Sequence, residues 1–224
     1  IIAGMMTETN KICYVAAYPI PEVIREINTY YLGAKKMNPE VEILITWVNT
    51  WYDPVKESQA AEVMMAQGCD MVAQHTDSPA PLQAAEKQGK LGFGQASDQF
   101  NFAPSAQLTA TIDNWGPYYI SKIEQMMDGS WSTGEGPDHW AGNTWLGMAD
   151  DYLVLTDFEN MPANVKAAAE EAEAKIKNGY NIFTGPFSDN QGNVILKAGE
   201  AYHDGNLWND MNYYVEGVNG KIPG

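Results

Sequence analysis

Short apolar runs alternate with longer amphipathic segments through the first half of this chain. Four runs carry β-branched and aromatic residues, and each is followed by a stretch whose apolar residues recur at helical spacing between Pro, Asn and Gly boundaries. Short strands joined by such helices form right-handed parallel crossovers, so the pattern predicts an α/β fold with a βαβαβαβ layer. The predicted strands are Lys11–Tyr18, the apolar start of the segment Ile43–Pro54, Met71–Gln74 and Leu91–Gln95.

The pattern changes after Pro104. A further short strand is predicted first, followed by an amphipathic helix, a Gly- and Pro-rich connector, a strand, a long helix, a hairpin and a closing helix. In chain order these are Gln107–Ile112, Tyr118–Met127, residues 129–137, Tyr152–Leu155, Pro162–Asn178, a turn at Asp189–Asn193, and Trp208–Val218. The opening residues, IIAGMMTETNK, are typical of the last turn of a helix and a polar loop, and we expect further chain before them.

Polar and aromatic side chains follow each of the four predicted parallel strands. The carboxyl ends of parallel strands meet at one edge of the sheet, where open α/β folds bind their ligands. This convergence predicts a small-molecule site at that edge. The residues that it brings together are Tyr18 and Pro19, Asn49 and Trp51, residues 75–77, and residues 95–98.

Two tryptophans of the second strand and its loop have different predicted roles. Trp47 lies inside the apolar run ILITWV, where alternation favours a place in the core. Trp51 lies beyond that run, between Thr50 and the helix start that Asp53 and Pro54 mark. We predict that Trp51 presents its ring to a flat ligand; the alternative is that both tryptophans only cover the sheet.

Composition limits the kinds of partner. The chain has 224 residues, 45% of them hydrophobic, which is enough for one large or two smaller packed domains. Its 13 Lys and Arg against 29 Asp and Glu give a net charge of −16, which argues against nucleic acid or an anionic membrane surface as partner. Cys13 and Cys69 lie in or beside apolar runs, so we interpret them as small buried thiols and leave a disulfide between them open.

Signatures of catalysis and of metal binding are not found in the sequence. The three histidines have no paired-ligand spacing, and no P-loop, nucleophile elbow or HExxH motif occurs. His75 and Asp77 are the one candidate acid and base pair, but the sequence offers them no nucleophile or metal to serve. We therefore predict a binding protein without catalytic residues, cofactor or metal.

A set of motifs in this order resembles one known family. Together the motifs span nearly the whole chain, and their combination is more specific for a family than any single motif. The motifs are AGMMTETNKICYVAAYPIPEVIREIN, WVNTWYDPVKESQAA, QGCDMVAQHTDSPAPLQAAEKQG, SDQ at 97–99, NWGPYY at 114–119, and YYVEGVNGKIP near the end. They resemble the basic membrane protein family of ABC-transporter substrate-binding lipoproteins, the group that contains purine nucleoside receptors.

The resemblance implies a periplasmic-binding-protein type I fold, in which two α/β lobes close on a ligand. On that basis the chain lacks most of the first lobe. Residues 1–10 end a first-lobe segment, 11–104 form second lobe, 105–135 are a returning first-lobe segment and hinge, and 136–224 complete the second lobe and a C-terminal helix. The implied partners are a purine-type small molecule and an ABC transporter permease. The implied location is the periplasm or the cell surface, with membrane contact only through a lipid anchor on a missing N-terminus.

The resemblance also implies how the ligand is held. Trp51 matches the stacking aromatic of the second lobe, Asn49, Thr76 and Asp77 are the expected contacts to the ring edges, and Gln95, Asp98 and Trp115 are further wall residues. Nucleoside-binding members carry an aspartate where Ala96 stands and a lysine near Asp113, so we expect a nucleobase such as adenine to be favoured over its nucleoside. The alternatives are a nucleoside hydrolase or phosphorylase and an orphan regulatory ligand-binding lobe.

Overall fold

A computed structural model describes residues 1–131 and 145–224 of the chain. Its main sheet has six strands, β1 Lys11–Ala16, β2 Glu42–Trp47, β3 Met71–His75, β4 Leu91–Gly94, β5 Gln107–Asp113 and β6 Leu153–Leu155. Their order across the sheet is β2-β1-β3-β4-β5-β6. The first five strands pair in parallel and β6 is antiparallel to β5. The predicted α/β fold with a parallel layer is therefore confirmed.

Helices cover both faces of the sheet. They are α1 Ile2–Met6, α2 Pro21–Met37, α3 Pro54–Ala66, α4 Ala80–Lys87, α5 Trp115–Asp128, α6 Ala163–Lys177 and α7 Asp204–Asn209. Helices α1, α2, α6 and α7 pack with one another on one face, and α3 packs with α4 on the other. None of the helices within the two described ranges is both long and apolar enough to span a membrane.

Strand β1 is buried on both faces, because its side chains alternate between two cores. Ile12, Tyr14 and Ala16 lie in the core beneath α2, whereas Cys13 and Val15 lie in the core beneath α3. This placement explains why the strand reads as a continuous apolar run. It also puts the carboxyl end of β1 between the ends of β2 and β3.

Cys13 and Cys69 form a disulfide, which corrects their interpretation as free thiols. Both residues are fully buried, and their Cα atoms are 5.9 Å apart. Cys13 lies in β1 and Cys69 lies just before β3, so the bond reinforces two neighbouring parallel strands. The sequence placed both cysteines in the core, but spacing alone does not reveal whether two strands bring them face to face.

The helix predicted over Trp208–Val218 is wrong. Helix α7 ends at Asn209, and an isolated β-bridge between Val215 and Asp189 and a turn follow it. The carbonyl oxygen of Tyr213 accepts from the Asn28 amide at 2.9 Å, and the Val215 N–H donates to the Asn28 side-chain oxygen at 3.0 Å. Since these backbone groups bond to a buried side chain of α2, they are not available for a helical ladder.

Two other predictions for the second half of the chain have different outcomes. The turn at Asp189–Asn193 is confirmed: it joins β7 Phe187–Ser188 to β8 Val194–Leu196, and the Asp189 N–H donates to the Asn193 carbonyl at 2.9 Å. The connector predicted at residues 129–137 lies mostly outside the described residues, which stop at 131 and resume at 145.

Candidate functional site

The strand order reverses direction between β1 and β3. The chain leaves β1 toward β2 on one side and leaves β3 toward β4 on the other. The crevice outside the carboxyl ends of two such strands is where doubly wound sheets bind ligands. Three rings meet at this point: Tyr18 lies 5.3 Å from Trp51, and Trp51 lies 5.8 Å from His75, measured between ring centroids.

Trp51 lies in the loop between β2 and α3 and is 37% exposed. The backbone of this loop is bonded to the loops that follow β1 and β3. Asn49 has a left-handed φ of 53°, and its N–H donates to the Ala17 carbonyl at 3.0 Å. The Asp77 N–H donates to the Trp51 carbonyl at 2.8 Å. The ring therefore lies on a fixed loop above β1 and β3, with one part of its surface open.

Trp47 lies elsewhere, as the alternation predicts. It is partly buried and packs against the core beneath α2, and its indole Nε1 donates to the hydroxyl of Tyr214 at 3.1 Å. The two tryptophans therefore lie in different environments. Trp47 joins β2 to the C-terminal segment, and Trp51 faces the open edge of the sheet.

Two carboxylates that the sequence did not predict, Glu22 and Glu26, lie beside His75, one of the three rings. His75 Nδ1 lies 3.0 Å from a carboxylate oxygen of Glu26, and His75 Nε2 lies 3.7 Å from Glu22. Burial lowers the pKa of His75, but the adjacent carboxylates of Glu26 and Glu22 outweigh burial and raise that pKa. Glu22 and Glu26 are four residues apart on α2 and share one face, which is the only sequence signal that could have found them.

Asp113, at the end of β5, is a third acidic residue near this group, because the charges of Glu26 and His75 act on it. Burial raises the pKa of its carboxyl, the charge of Glu26 raises it further, and His75 opposes both. Carboxylates only accept hydrogen bonds, and they repel one another when they are close. A ligand that donates N–H groups therefore suits this edge better than one that presents carbonyl oxygens.

The predicted contacts Thr76 and Asp77 differ in exposure. Thr76 is fully buried, and its hydroxyl donates to the side-chain oxygen of Gln74 at 3.2 Å. Asp77 is exposed beside Trp51, as is Asn49. The structure thus brings Asn49, Trp51 and Asp77 together at the surface and places Thr76 beneath them.

Gln95 and Asp98 follow β4, farther along the same edge. The Gln95 side-chain oxygen accepts from the hydroxyl of Thr111 at 3.3 Å. Asp98 accepts from the Phe100 N–H at 3.0 Å and from the Gln107 amide at 2.9 Å. Asp98 therefore braces the turn after β4.

Trp115 belongs to a separate aromatic group at the start of α5. Its ring lies 5.6 Å from Tyr119 in a stacked arrangement and 5.2 Å from Tyr152 in an edge-on arrangement. Helix α5 follows β5, which lies four strand spacings, or roughly 19 Å, from β2. Trp115 is 48% exposed and marks the far end of the edge from β2.

The candidate acid and base pair is not formed. His75 is engaged by Glu26 and Glu22, whereas the N–H of Asp77 donates to the Trp51 carbonyl. Within the described ranges, no group of three or more His, Cys, Asp or Glu side chains is arranged to hold a metal ion. The geometry at this edge is that of a stacking surface with polar neighbours.

Comparison with known proteins gives a consistent result. Residues 1–185 match the model of the family described as ABC transporter substrate-binding protein, PnrA-like. Over its full length the chain is 44% identical to a purine-binding protein of Brucella abortus, of which it covers 61%. It is 35% identical over 222 residues, 98% of the chain, to a Haloferax volcanii protein provisionally named as an ABC transporter glucose-binding protein, of which it covers 52%.

A solved structure is similar in fold. It is an ABC transporter solute-binding protein from Conexibacter woesei, with a TM-score of 0.63 at 20% identity. The match covers 80% of this chain and 58% of that one. The chain thus spans between about half and two thirds of the length of each of these proteins.

Proposed function

The chain belongs to the family of PnrA-like ABC transporter substrate-binding proteins, and we propose that it captures a purine for import. The observation that supports a purine as the ligand is the partly exposed ring of Trp51, which a hydrogen-bonded loop holds at the switch point between β1 and β3. A flat heterocycle stacks on such a ring, and a few polar groups then satisfy its edges. The name of the Brucella abortus relative supports the same ligand class.

We propose that Asn49 and Asp77 contact the edges of the purine. Gln95, Asp98 and Trp115 lie farther along the same sheet edge, and we propose them as walls of the wider cleft. Thr76 enters this set only if its hydroxyl exchanges Gln74 for the ligand. The structural support is strongest for Asn49 and Asp77, since both are exposed beside Trp51.

A nucleobase is the proposed ligand, adenine before guanine, in preference to a nucleoside. Ala96 and Asp113 stand where a ribose would require a carboxylate and a cation. A site built for sugar hydroxyls loses discrimination without those groups, because desolvation of the hydroxyls is then not offset. A free base also carries a ring N–H that its nucleoside lacks, and the carboxylates of Glu26 and Asp113 accept such donors.

The wider arrangement is also a proposal. In the whole protein, residues 11–104 and 136–224 form a second lobe, residues 1–10 and 105–135 belong to a first lobe and hinge, and closure presents the ligand to a permease. Helix α5 supports this division, because Ile120, Ile123 and Met127 are exposed along it. The buried disulfide supports a location outside the cytoplasm, at the periplasm or cell surface, with a lipid anchor as the link to the membrane.

A sugar is the second candidate ligand. The provisional name of the Haloferax volcanii relative favours glucose, and aromatic rings also pack against the apolar faces of sugars. We place the sugar second because the Brucella abortus relative, at 44% identity, is more similar to this chain than the Haloferax volcanii relative, at 35%.

Mass spectrometry of the small molecule that co-purifies with the protein tests this proposal. We expect a purine, released on denaturation and absent from the Trp51→Ala variant. A co-purified hexose would overturn the purine assignment in favour of the sugar. Incubation with adenosine, analysed for free adenine and ribose, tests the enzymatic alternative: release that scales with protein and disappears in Asp77→Ala would replace binding with catalysis.

A further inference from the structure

Glu57 is a buried carboxylate whose partners lie in two different loops. It is in the first turn of α3 and is fully buried. One oxygen accepts from the Asp53 N–H at 2.6 Å, and the other accepts a short hydrogen bond from the hydroxyl of Ser78. Asp53 ends the loop after β2, and Ser78 lies in the loop after β3. Glu57 therefore ties together the two loops that border the switch point.

A second bond joins the same two loops at the surface. The Asp77 N–H donates to the Trp51 carbonyl at 2.8 Å. Asp77 is next to Ser78, and Trp51 is two residues before Asp53, so the surface bond and the buried carboxylate hold the same short segments from above and below. Asp53 also caps α3 by accepting from the Lys56 N–H at 3.1 Å, which anchors the loop end to the helix.

We propose that Glu57 is a positioning residue, which fixes the ring of Trp51 for the ligand without touching the ligand. This inference rests on the proposed function of Trp51. Glu57 has no exposed surface, so its influence passes through the backbone of Asp53 and through Ser78. It adds a determinant of affinity beneath the binding surface, at a position that motif comparison did not single out.

The physical reason is the cost of leaving buried groups without partners. Removal of the carboxylate leaves the partly buried N–H of Asp53 and the buried O–H of Ser78 without an acceptor, and the loops lower that cost by moving toward water. The ring of Trp51 then samples several positions. If the binding-competent population falls to about a tenth, the apparent Kd rises about tenfold even though every ligand contact is still available.

The test compares three variants of the full 224-residue chain labelled with 5-fluorotryptophan. Glu57→Ala removes both bonds. Glu57→Gln keeps an acceptor for Asp53 and an amide that can donate to the hydroxyl of Ser78. Met64→Ala is the control, since Met64 is a buried core residue of the same helix, remote from both loops. The Trp51 fluorine resonance is assigned with Trp51→Phe, and each protein is titrated with adenine below its melting temperature.

We expect the Trp51 resonance to shift or broaden in Glu57→Ala, with about tenfold weaker adenine binding, and to return toward the wild-type signal in Glu57→Gln. Met64→Ala should lower the melting temperature and leave both the resonance and the Kd unchanged. An unchanged Trp51 resonance in Glu57→Ala, or equal losses of affinity in Glu57→Ala and Met64→Ala, would overturn the positioning role. Failure of wild-type protein to bind adenine, with the resonance still displaced in Glu57→Ala, would refute the ligand and leave the positioning of the ring established.

Discussion

Replacement of Trp51 by alanine should weaken ligand binding and leave the fold nearly as stable as before. The ring is 37% exposed, and its nearest aromatic neighbours in the structure are Tyr18 and His75. Loss of a stacked ring costs roughly 1–3 kcal/mol of binding free energy, by analogy with bases stacked on aromatic side chains. Adenine should therefore bind about 5- to 150-fold more weakly to Trp51→Ala.

The stability cost of the same change should be small. Trp51 loses its tilted contacts with Tyr18 and His75, and an aromatic pair of that kind contributes about 1 kcal/mol. The backbone bonds of the loop, from Asn49 to Ala17 and from Asp77 to Trp51, do not involve the ring and remain. The circular dichroism spectrum and the urea unfolding midpoint should accordingly stay close to those of the wild type.

Trp47→Ala is the matched control, because it removes the same type of side chain from the end of β2, just before the loop that holds Trp51. Trp47 packs against the main core and donates to Tyr214, so its loss should lower the free energy of unfolding by about 3 kcal/mol or more. Its effect on the Kd for adenine should be much smaller than that of Trp51→Ala.

Calorimetric titration with adenine measures the first effect, and urea unfolding followed by circular dichroism measures the second. Calorimetry is preferred to fluorescence here because each variant removes a tryptophan. If Trp51→Ala lost stability and kept affinity, while Trp47→Ala lost affinity and kept stability, the assignment of core and site along this segment would be wrong.

Three further predictions concern stability. Cys13→Ala with Cys69→Ala opens a loop of 56 residues and should lower the free energy of unfolding by about 4 kcal/mol in the chain-entropy model; equal urea midpoints for the oxidised protein and the variant would contradict it. Asn28→Ala removes the two bonds that this buried side chain makes to the backbone of the C-terminal segment and should cost about 2 kcal/mol, with faster proteolysis after residue 209; unchanged cleavage would refute the anchoring role. The raised pKa of His75 stabilises the fold below pH 6.5, and this contribution is lost as pH rises through the folded-state pKa; His75→Gln should abolish that part of the pH profile, and identical profiles would rule it out.

The parallel layer could be predicted because its signals are local. Asp53 and Pro54 begin α3 as the sequence indicates, and the alternation of Ile12 to Ala16 between two cores follows from the strand period. The family motifs also predicted the family. These features depend on short stretches of chain, so one sequence is enough to find them.

The remainder depended on contacts between distant segments. The C-terminal segment looked helical because the backbone bonds that Asn28 makes, from nearly two hundred residues away in sequence, leave no local trace. Glu22 and Glu26 looked like ordinary surface residues of α2 until β3 brought His75 beside them. The role of Asp98 in bracing Gln107 was equally invisible, because a helix cap, a turn brace and a ligand contact use the same side chain.

Parallel titrations of the wild-type chain with adenine, adenosine and glucose test whether the ring of Trp51 binds a purine. Calorimetry at one pH and one protein concentration ranks the three ligands. We expect saturable binding of adenine, weaker binding of adenosine and no saturation with glucose. Tighter binding of adenosine than of adenine would refute the preference for the nucleobase. Saturable binding of glucose, with no binding of adenine, would refute a purine as the ligand.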